Sequence, residues 1–324
     1  MAGVRIGGQA VMEGVMMKND DKYAVAVRKP DKEIEVEITE YKPFGSKASI
    51  LRFPIIRGVV NFLESMVIGM KTLMYSASFY DEEQDEPKKK NKKEKDQKTT
   101  ENNKEKSDNK KSEKDESGAE VFWTIAISLV IAIGLFMLLP AFVASLLEKY
   151  IESRILISII EGVIRLLIFF IYIIAISLME DIKRTYMYHG AEHKTINCLE
   201  HGLELTVENV MKQSRFHKRC GTSFLFIVMI VSIVIFLFIN TNVLWLKMLL
   251  RVLLVPVVAG ISYEFIRFAG KSDSFIANVL SKPGLLVQRF TTKEPTEDMV
   301  EVAIKSVEAV LDWRAYLEEE RSKK

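Results

Sequence analysis

Two stretches, 121–180 and 223–263, are nearly continuous Ile, Leu, Val, Phe and Ala, and no other feature restricts the fold of this chain as strongly. Apolar runs of about 20 residues match a bilayer core, whereas runs of about 10–14 do not. Read this way, the sequence predicts four membrane-spanning helices at 121–147, 155–179, 223–239 and 243–263, the last two joined by a tight hairpin at Asn240, Thr241 and Asn242. The expected fold class is a polytopic α-helical membrane protein of about four spans, with a small cytoplasmic α+β head and a C-terminal amphipathic helix. The N-terminus lacks a charged segment followed by an apolar core, so no cleaved signal peptide is expected.

Orientation follows from Lys and Arg placement. The segment between the second and third spans carries Lys183, Arg184, Lys194, Lys212, Arg215, Lys218 and Arg219, and the opposite side carries Lys149, Arg154 and Lys247. Both termini are therefore expected in the cytoplasm. In that reducing compartment Cys198 and Cys220 are expected as thiols or ligands rather than a disulfide.

Four regions follow. Residues 1–80 read as a cytoplasmic α+β unit: "GGQAVMEGVMMK" as one strand, "YAVAVRK" and "EIEVEITEY" as a hairpin, then a helix from Arg57 with Arg57, Asn61, Glu64 and Lys71 on one polar stripe. Residues 81–118 lack aliphatic and aromatic anchors and read as a disordered charged tether. Its acids are interleaved with its lysines, which argues against a nucleic-acid partner. Residues 119–263 form the transmembrane region, including a cytoplasmic His/Cys loop at 181–222. Residues 264–324 read as a membrane-surface segment followed by an amphipathic helix that starts at Thr296 and packs on the N-terminal unit. Inside the spans, Glu161 and Arg165 read as a helical ion pair near the outer boundary, with side chains reaching the headgroups.

The chemistry concentrates in the loop. All four histidines and both cysteines of the 324-residue chain lie between His189 and Cys220. His189 and His193 stand one helical turn apart, so two imidazoles can converge on one cation. With Glu192 between them, "HGAEH" has the H-x-x-E-H order of zinc hydrolases in which the Glu takes a proton from water. The expected cofactor is Zn²⁺ or another divalent transition metal. Further ligands are expected among Glu200, His201, His217, Cys220, Glu13 and Glu64. A second assignment uses His189, His193, His217 and Cys220 as four ligands of a closed structural site. A third leaves these groups hydrogen-bonded to backbone and headgroups. Cys220, beside Lys218 and Arg219, is also a candidate nucleophile with His217 as its base.

The segments "RIGGQAVMEGVMMK", "RGVVNFLESMVIGMKTL", "YHGAEHKTINCLE", "HKRCGTSF", "YEFIRFAG" and "QRFTTKEP" together resemble the YqhQ-like family of bacterial membrane proteins. The likeness covers nearly the whole chain outside the tether. The family's label, predicted metal-dependent enzyme, implies a metal site near His189, Glu192, His193, His217 and Cys220, and draws Glu13 and Glu64 towards it. It also implies a bacterial plasma membrane.

As an enzyme the chain would be a zinc-dependent hydrolase acting on a peptide or lipid-linked group, with Glu192 as base. The competing class is a non-enzymatic membrane-protein assembly, translocation or quality-control factor with a structural metal, using its spans, the Arg57–Lys71 stripe and the tether to hold partners. The bilayer is the partner common to both. Oligomeric state has no signature in the sequence.

Overall fold

The computed structural model describes residues 6–42, 53–93, 123–124, 126–239, 241, 243–271 and 275–322, with side chains described outside 81–93, 244 and 269–281. A four-stranded antiparallel meander comes first, in the order β1-β2-β3-β4: β1 Ile6–Val11, β2 Gly14–Asn19, β3 Lys22–Arg28 and β4 Ile34–Glu40. The single strand expected over "GGQAVMEGVMMK" is thus two strands. Val11 pairs with Gly14 across a two-residue loop in which Glu13 takes a φ of 49°. Gly14 is required there, because a Cβ would stand 2.3 Å from the Ala26 carbonyl oxygen.

Both faces of the sheet are covered, so β3 reads as a continuous apolar run rather than an alternation. On one face Val11, Met16, Tyr23, Val25 and Val27 pack with Ile68 of α1, Ile56–Lys93. On the other, Val15, Met17, Ala24 and Ala26 pack with two helices, α4 Glu180–Glu200 and α9 Glu297–Val310. Helix α9 begins after Thr296 as the sequence implied, without a side-chain cap bond. Met299, Val302, Ala303 and Val307 form its buried stripe against the sheet. Leu311 turns to extended backbone, and a separate short helix, Trp313–Ser322 (α10), follows.

Helical backbone of α1 runs through Lys93, beyond the residue at which the tether was expected to begin, and 94–118 of that segment lie outside the described residues. Among the described residues, three helices are long and apolar enough to cross a membrane: α2 Ala126–Leu147, with a π-helical turn at Gly134–Leu138; α3 Arg154–Ser177; and Trp245–Phe268 within α7, Leu244–Lys271. Their outward side chains, including Val130, Phe142, Ile159, Leu167, Ile171 and Leu253, form an exposed apolar band of the kind that lipid covers. The expected third span is α6, Gly221–Phe236. At 16 residues it is roughly 24 Å long, shorter than the ~30 Å hydrocarbon core. Helix α8, Phe275–Thr291, packs along α6, with Val287 joining Phe169, Ile173 and Met229 in one core.

The Glu161–Arg165 helical ion pair forms as expected, but its side chains are buried among neighbouring helices rather than reaching outward. Glu161 is 2% exposed and meets Arg165 Nη2 at 3.0 Å and Arg251 Nη2 of α7 at 2.8 Å. Arg165 also donates to Ser232 Oγ at 2.9 Å and to the Phe136 carbonyl at 3.1 Å, so four helices meet at this charge cluster.

Candidate metal centre

Helix α4 follows α3 after a break at Leu178 and Met179, and carries both histidines of "HGAEH" on one face. Their rings lie 4.3 Å apart. Cys220 comes from the chain just before α6, where its sulfur accepts the Thr222 N–H at 3.4 Å as the helix cap. His189 Nε2 stands 3.2 Å from Cys220 Sγ. One ligand atom from each of His189, His193 and Cys220 lies within 4.8 Å of the others.

The imidazole orientations are fixed from behind. His189 Nδ1 lies 2.8 Å from the Thr291 carbonyl, and His193 Nδ1 lies 2.6 Å from the Arg215 carbonyl. A carbonyl oxygen only accepts, so each Nδ1 carries a proton, and in the neutral imidazole it is Nε2 that offers a lone pair to the cluster. Metal-ligating histidines are oriented by this kind of outer partner. His193 Nε2 is buried and has no hydrogen-bond partner among the described residues. Burial pushes the His193 imidazole pKa below its usual value, with His189 and His217 adding to that effect and Cys220 opposing it.

The carbonyls are themselves held by buried polar residues. Lys194 Nζ donates to the Met211 and Gln213 carbonyls at 2.8 and 2.9 Å, and Asn197 donates to the Ser214 and Phe216 carbonyls at 2.7 and 3.0 Å. These bonds bind the segment after α5, Val207–Met211, against α4 and so aim the Arg215 carbonyl. Arg215 Nη1 reaches the Thr292 carbonyl at 2.9 Å, tying in the segment after α8. Gly190 gives that segment its close approach: a Cβ would meet the Lys293 carbonyl oxygen at 2.0 Å. Its cost to helix propensity is thereby explained.

Glu192 is 5% exposed and lies against β1, where a Cβ on Gly8 would stand 2.7 Å from its Cγ. Burial pushes its carboxyl above the usual range, against the pull of His189 and His217, and its Oε2 has no partner among the described residues. Glu192, His189 and Cys220 open onto one cavity of about 470 Å³, which Gly7, Gly8, Gln9 and Ser65 also line.

Of the other candidates, His217 lines the same cavity. His217 sits 5.7 Å from the His193 ring, but its Nε2 faces Glu200 at 3.3 Å, and Glu200 also pairs with Arg219. His201 is exposed at the end of α4. Glu13 pairs with Arg184 and accepts from Tyr188 Oη at 3.3 Å, Glu64 pairs with Lys18 at 3.1 Å, and Arg57 pairs with Glu264. Thus Glu13, Glu64 and Arg57 join elements around the centre and do not enter the three-atom group. Cys198 is buried, with its thiol towards the Glu204 carbonyl at 3.4 Å. The parts played by Gly8, Lys194, Asn197 and Arg215 have no counterpart in the sequence-based expectations. Lys194 and Asn197 alone carried a signal, as polar residues on a helix face with no solvent to meet.

Residues 53–313 match the family described as "Protein of unknown function (DUF1385)". The chain belongs to this family. The DUF1385 match takes in all three ligand atoms and both orienting carbonyls, while the sheet precedes it. A relative from Bacillus subtilis (strain 168), "Uncharacterized protein YqhQ", is 35% identical over 320 residues, covering 97% of this chain and 94% of the relative, so its likeness includes the sheet. No solved structure matches.

Proposed function

We propose that this DUF1385 protein is a membrane-embedded, metal-dependent hydrolase whose centre is His189, His193 and Cys220, with Glu192 as its base. The observation that carries this reading is the pair of carbonyls, Thr291 and Arg215, that fix both Nδ1 protons and leave two Nε2 lone pairs facing one sulfur. The donor set fits. Zn–N near 2.0 Å and Zn–S near 2.3 Å place tetrahedral N and S ligands roughly 3.5 Å apart, close to the 3.2 Å between His189 Nε2 and Cys220 Sγ. Two imidazoles and a thiolate suit Zn²⁺ or a similar divalent transition metal, and three protein ligands leave a fourth position open. Such an ion supplies Lewis acidity to a water and to a substrate carbonyl. Glu192 then takes the proton from water at its unpartnered Oε2 and returns it to the leaving group, so that one bond is cleaved by the elements of water. The buried wall around Glu192 and His193 limits access to the cavity side.

The site lies at the end of the bundle that carries the basic segment, so the reading includes four crossings, with α6 as the short one, and a cytoplasmic centre in a bacterial plasma membrane. An impermeant maleimide should label a cysteine placed at Glu148 in intact cells and miss one placed at Lys212. The reverse pattern would overturn this orientation.

The test of the chemistry is metal content of purified protein beside complementation of a deletion strain. Glu192→Gln should keep the metal and lose function, whereas His193→Ala and Cys220→Ser should lose both. A structural metal in an assembly factor predicts instead that Glu192→Gln complements fully. Wild-type protein that holds and regains no transition metal would end the hydrolase reading.

A further inference from the structure

The edge of the sheet opens into the same cavity as the proposed metal centre. β1 is an edge strand, and Ile6 through Ala10 line that cavity beside His189, Glu192 and Cys220. Which backbone groups face it follows from the register. Arg28 N donates to the Glu13 carbonyl, so the odd-numbered residues of β2 bond β3 and the even-numbered ones bond β1. Gly7, Gln9 and Val11 pair with Lys18, Met16 and Gly14. The N–H and C=O groups of Gly8 and Ala10 therefore point away from the sheet, and no described backbone group bonds them.

Proteins protect an exposed edge with charge, proline or a bulge. The opposite edge follows that rule: β4 carries Glu35, Glu37 and Glu40, all exposed. β1 carries none of these devices and presents Gly7, where a Cβ would find nothing within 4 Å. A second cavity of about 590 Å³ adjoins the first, sharing Gln9, Ser65, Arg219 and Cys220. Phe62, Met66, Met70, Leu73, Phe224 and Leu225 give it an apolar wall.

We propose that the substrate is an extended polypeptide segment with apolar side chains, which adds to the outer edge of β1 as a fifth strand. Backbone pairing with Gly8 and Ala10 would lay a peptide carbonyl beside His189 and Glu192, while alternate side chains enter the apolar cavity. The inference rests on the hydrolase reading for what happens next, but not for the pairing itself. An acyl chain would fill the apolar cavity equally well and has no use for a bare strand edge, which is why the geometry favours a peptide over a lipid.

The probe is a fluorescent hexapeptide of alternating Leu and Ala, titrated into full-length Glu192→Gln protein in nanodiscs, beside a fully N-methylated analogue and a lysophosphatidylglycerol. Pairing predicts that the plain peptide binds and that N-methylation weakens it about tenfold or more, since several backbone bonds are lost together. Ala10→Pro, which deletes one outward N–H and spares the bonds to β2, should weaken the plain peptide similarly while metal content and thermal midpoint stay at the Glu192→Gln level. Should Ala10→Pro fail to fold, the methylated analogue still decides. Equal binding of both peptides, or displaceable binding of the lysolipid with none of the peptide, would sink the proposal. Selective peptide binding to protein that holds no metal would uphold strand addition and overturn the metal centre, so the two failures are told apart.

Discussion

Gly190 lies so close to Lys293 that a β-carbon on the glycine would stand 2.0 Å from the lysine carbonyl oxygen. The segment pressed there begins at Thr291, whose carbonyl fixes His189. Gly190→Ala should therefore push that segment off α4 and release the His189 ring, although alanine is the better helix former by about 1 kcal/mol. The expected outcome is a lower thermal midpoint together with loss of bound metal, read by elemental analysis of the purified protein. A variant more stable than wild type, with metal retained, would contradict this packing.

Gly7 and Gly8 form an internal control. Alanine at Gly7 meets open space, whereas alanine at Gly8 places its Cβ within 2.8 Å of three Glu192 side-chain atoms. Gly7→Ala should change stability by no more than about 0.5 kcal/mol. Gly8→Ala should displace the carboxylate and abolish complementation while leaving metal content intact. Identical behaviour of the two variants would remove Glu192 from its assigned place.

Glu161 is the sole carboxylate, among the described residues, that meets the buried guanidinium groups of Arg165 and Arg251, and Lys247 approaches it at 3.7 Å. Removing one partner of a buried ion pair costs about 3–5 kcal/mol, because the remaining charges lose their compensation. Glu161→Gln should sharply reduce thermal stability in detergent and abundance in the membrane. Adding Arg251→Met should restore part of the loss, since it removes one of the stranded charges.

Burial pushes the Cys198 thiol up from 9.0 to about 11. Between these values the unfolded chain has released the proton and the folded chain keeps it, so this group favours unfolding as pH rises through that window. Wild-type protein should lose stability from pH 9 to 11 more steeply than Cys198→Ala, and the two should run parallel below pH 8. Denaturant midpoints measured across that range supply the comparison.

The sequence made some of this legible and concealed the rest for physical reasons. The apolar spans announce themselves by composition, and His189 and His193 by their spacing on one helix face. The β1–β2 turn was hidden because it is formed by Met12 and Glu13, with the left-handed position held by a glutamate rather than a glycine. Arg251 could not be placed with Glu161 because 90 residues separate them. The groups that orient the histidines were invisible for a deeper reason. They are backbone carbonyls of Thr291 and Arg215, and a carbonyl carries no residue signature. The family resemblance draws Glu13 and Glu64 towards the site and the polar stripe singles out Arg57, but their ion-pair partners, Arg184, Lys18 and Glu264, come from distant sequence and could not be read there.

The bond from His189 to the Thr291 carbonyl spans 102 residues of chain. At synthesis rates of about 5–20 residues per second, roughly 5–20 s pass between emergence of the histidine and of the group that orients it. Helices α6 and α7 are made during that interval. The ring therefore acquires its fixed orientation only after the last apolar helix has left the ribosome. Completion of the cluster comes after the apolar helices, and a chain stalled before Thr291 presents a His189 ring with nothing to aim it while His193 already has its Arg215 carbonyl.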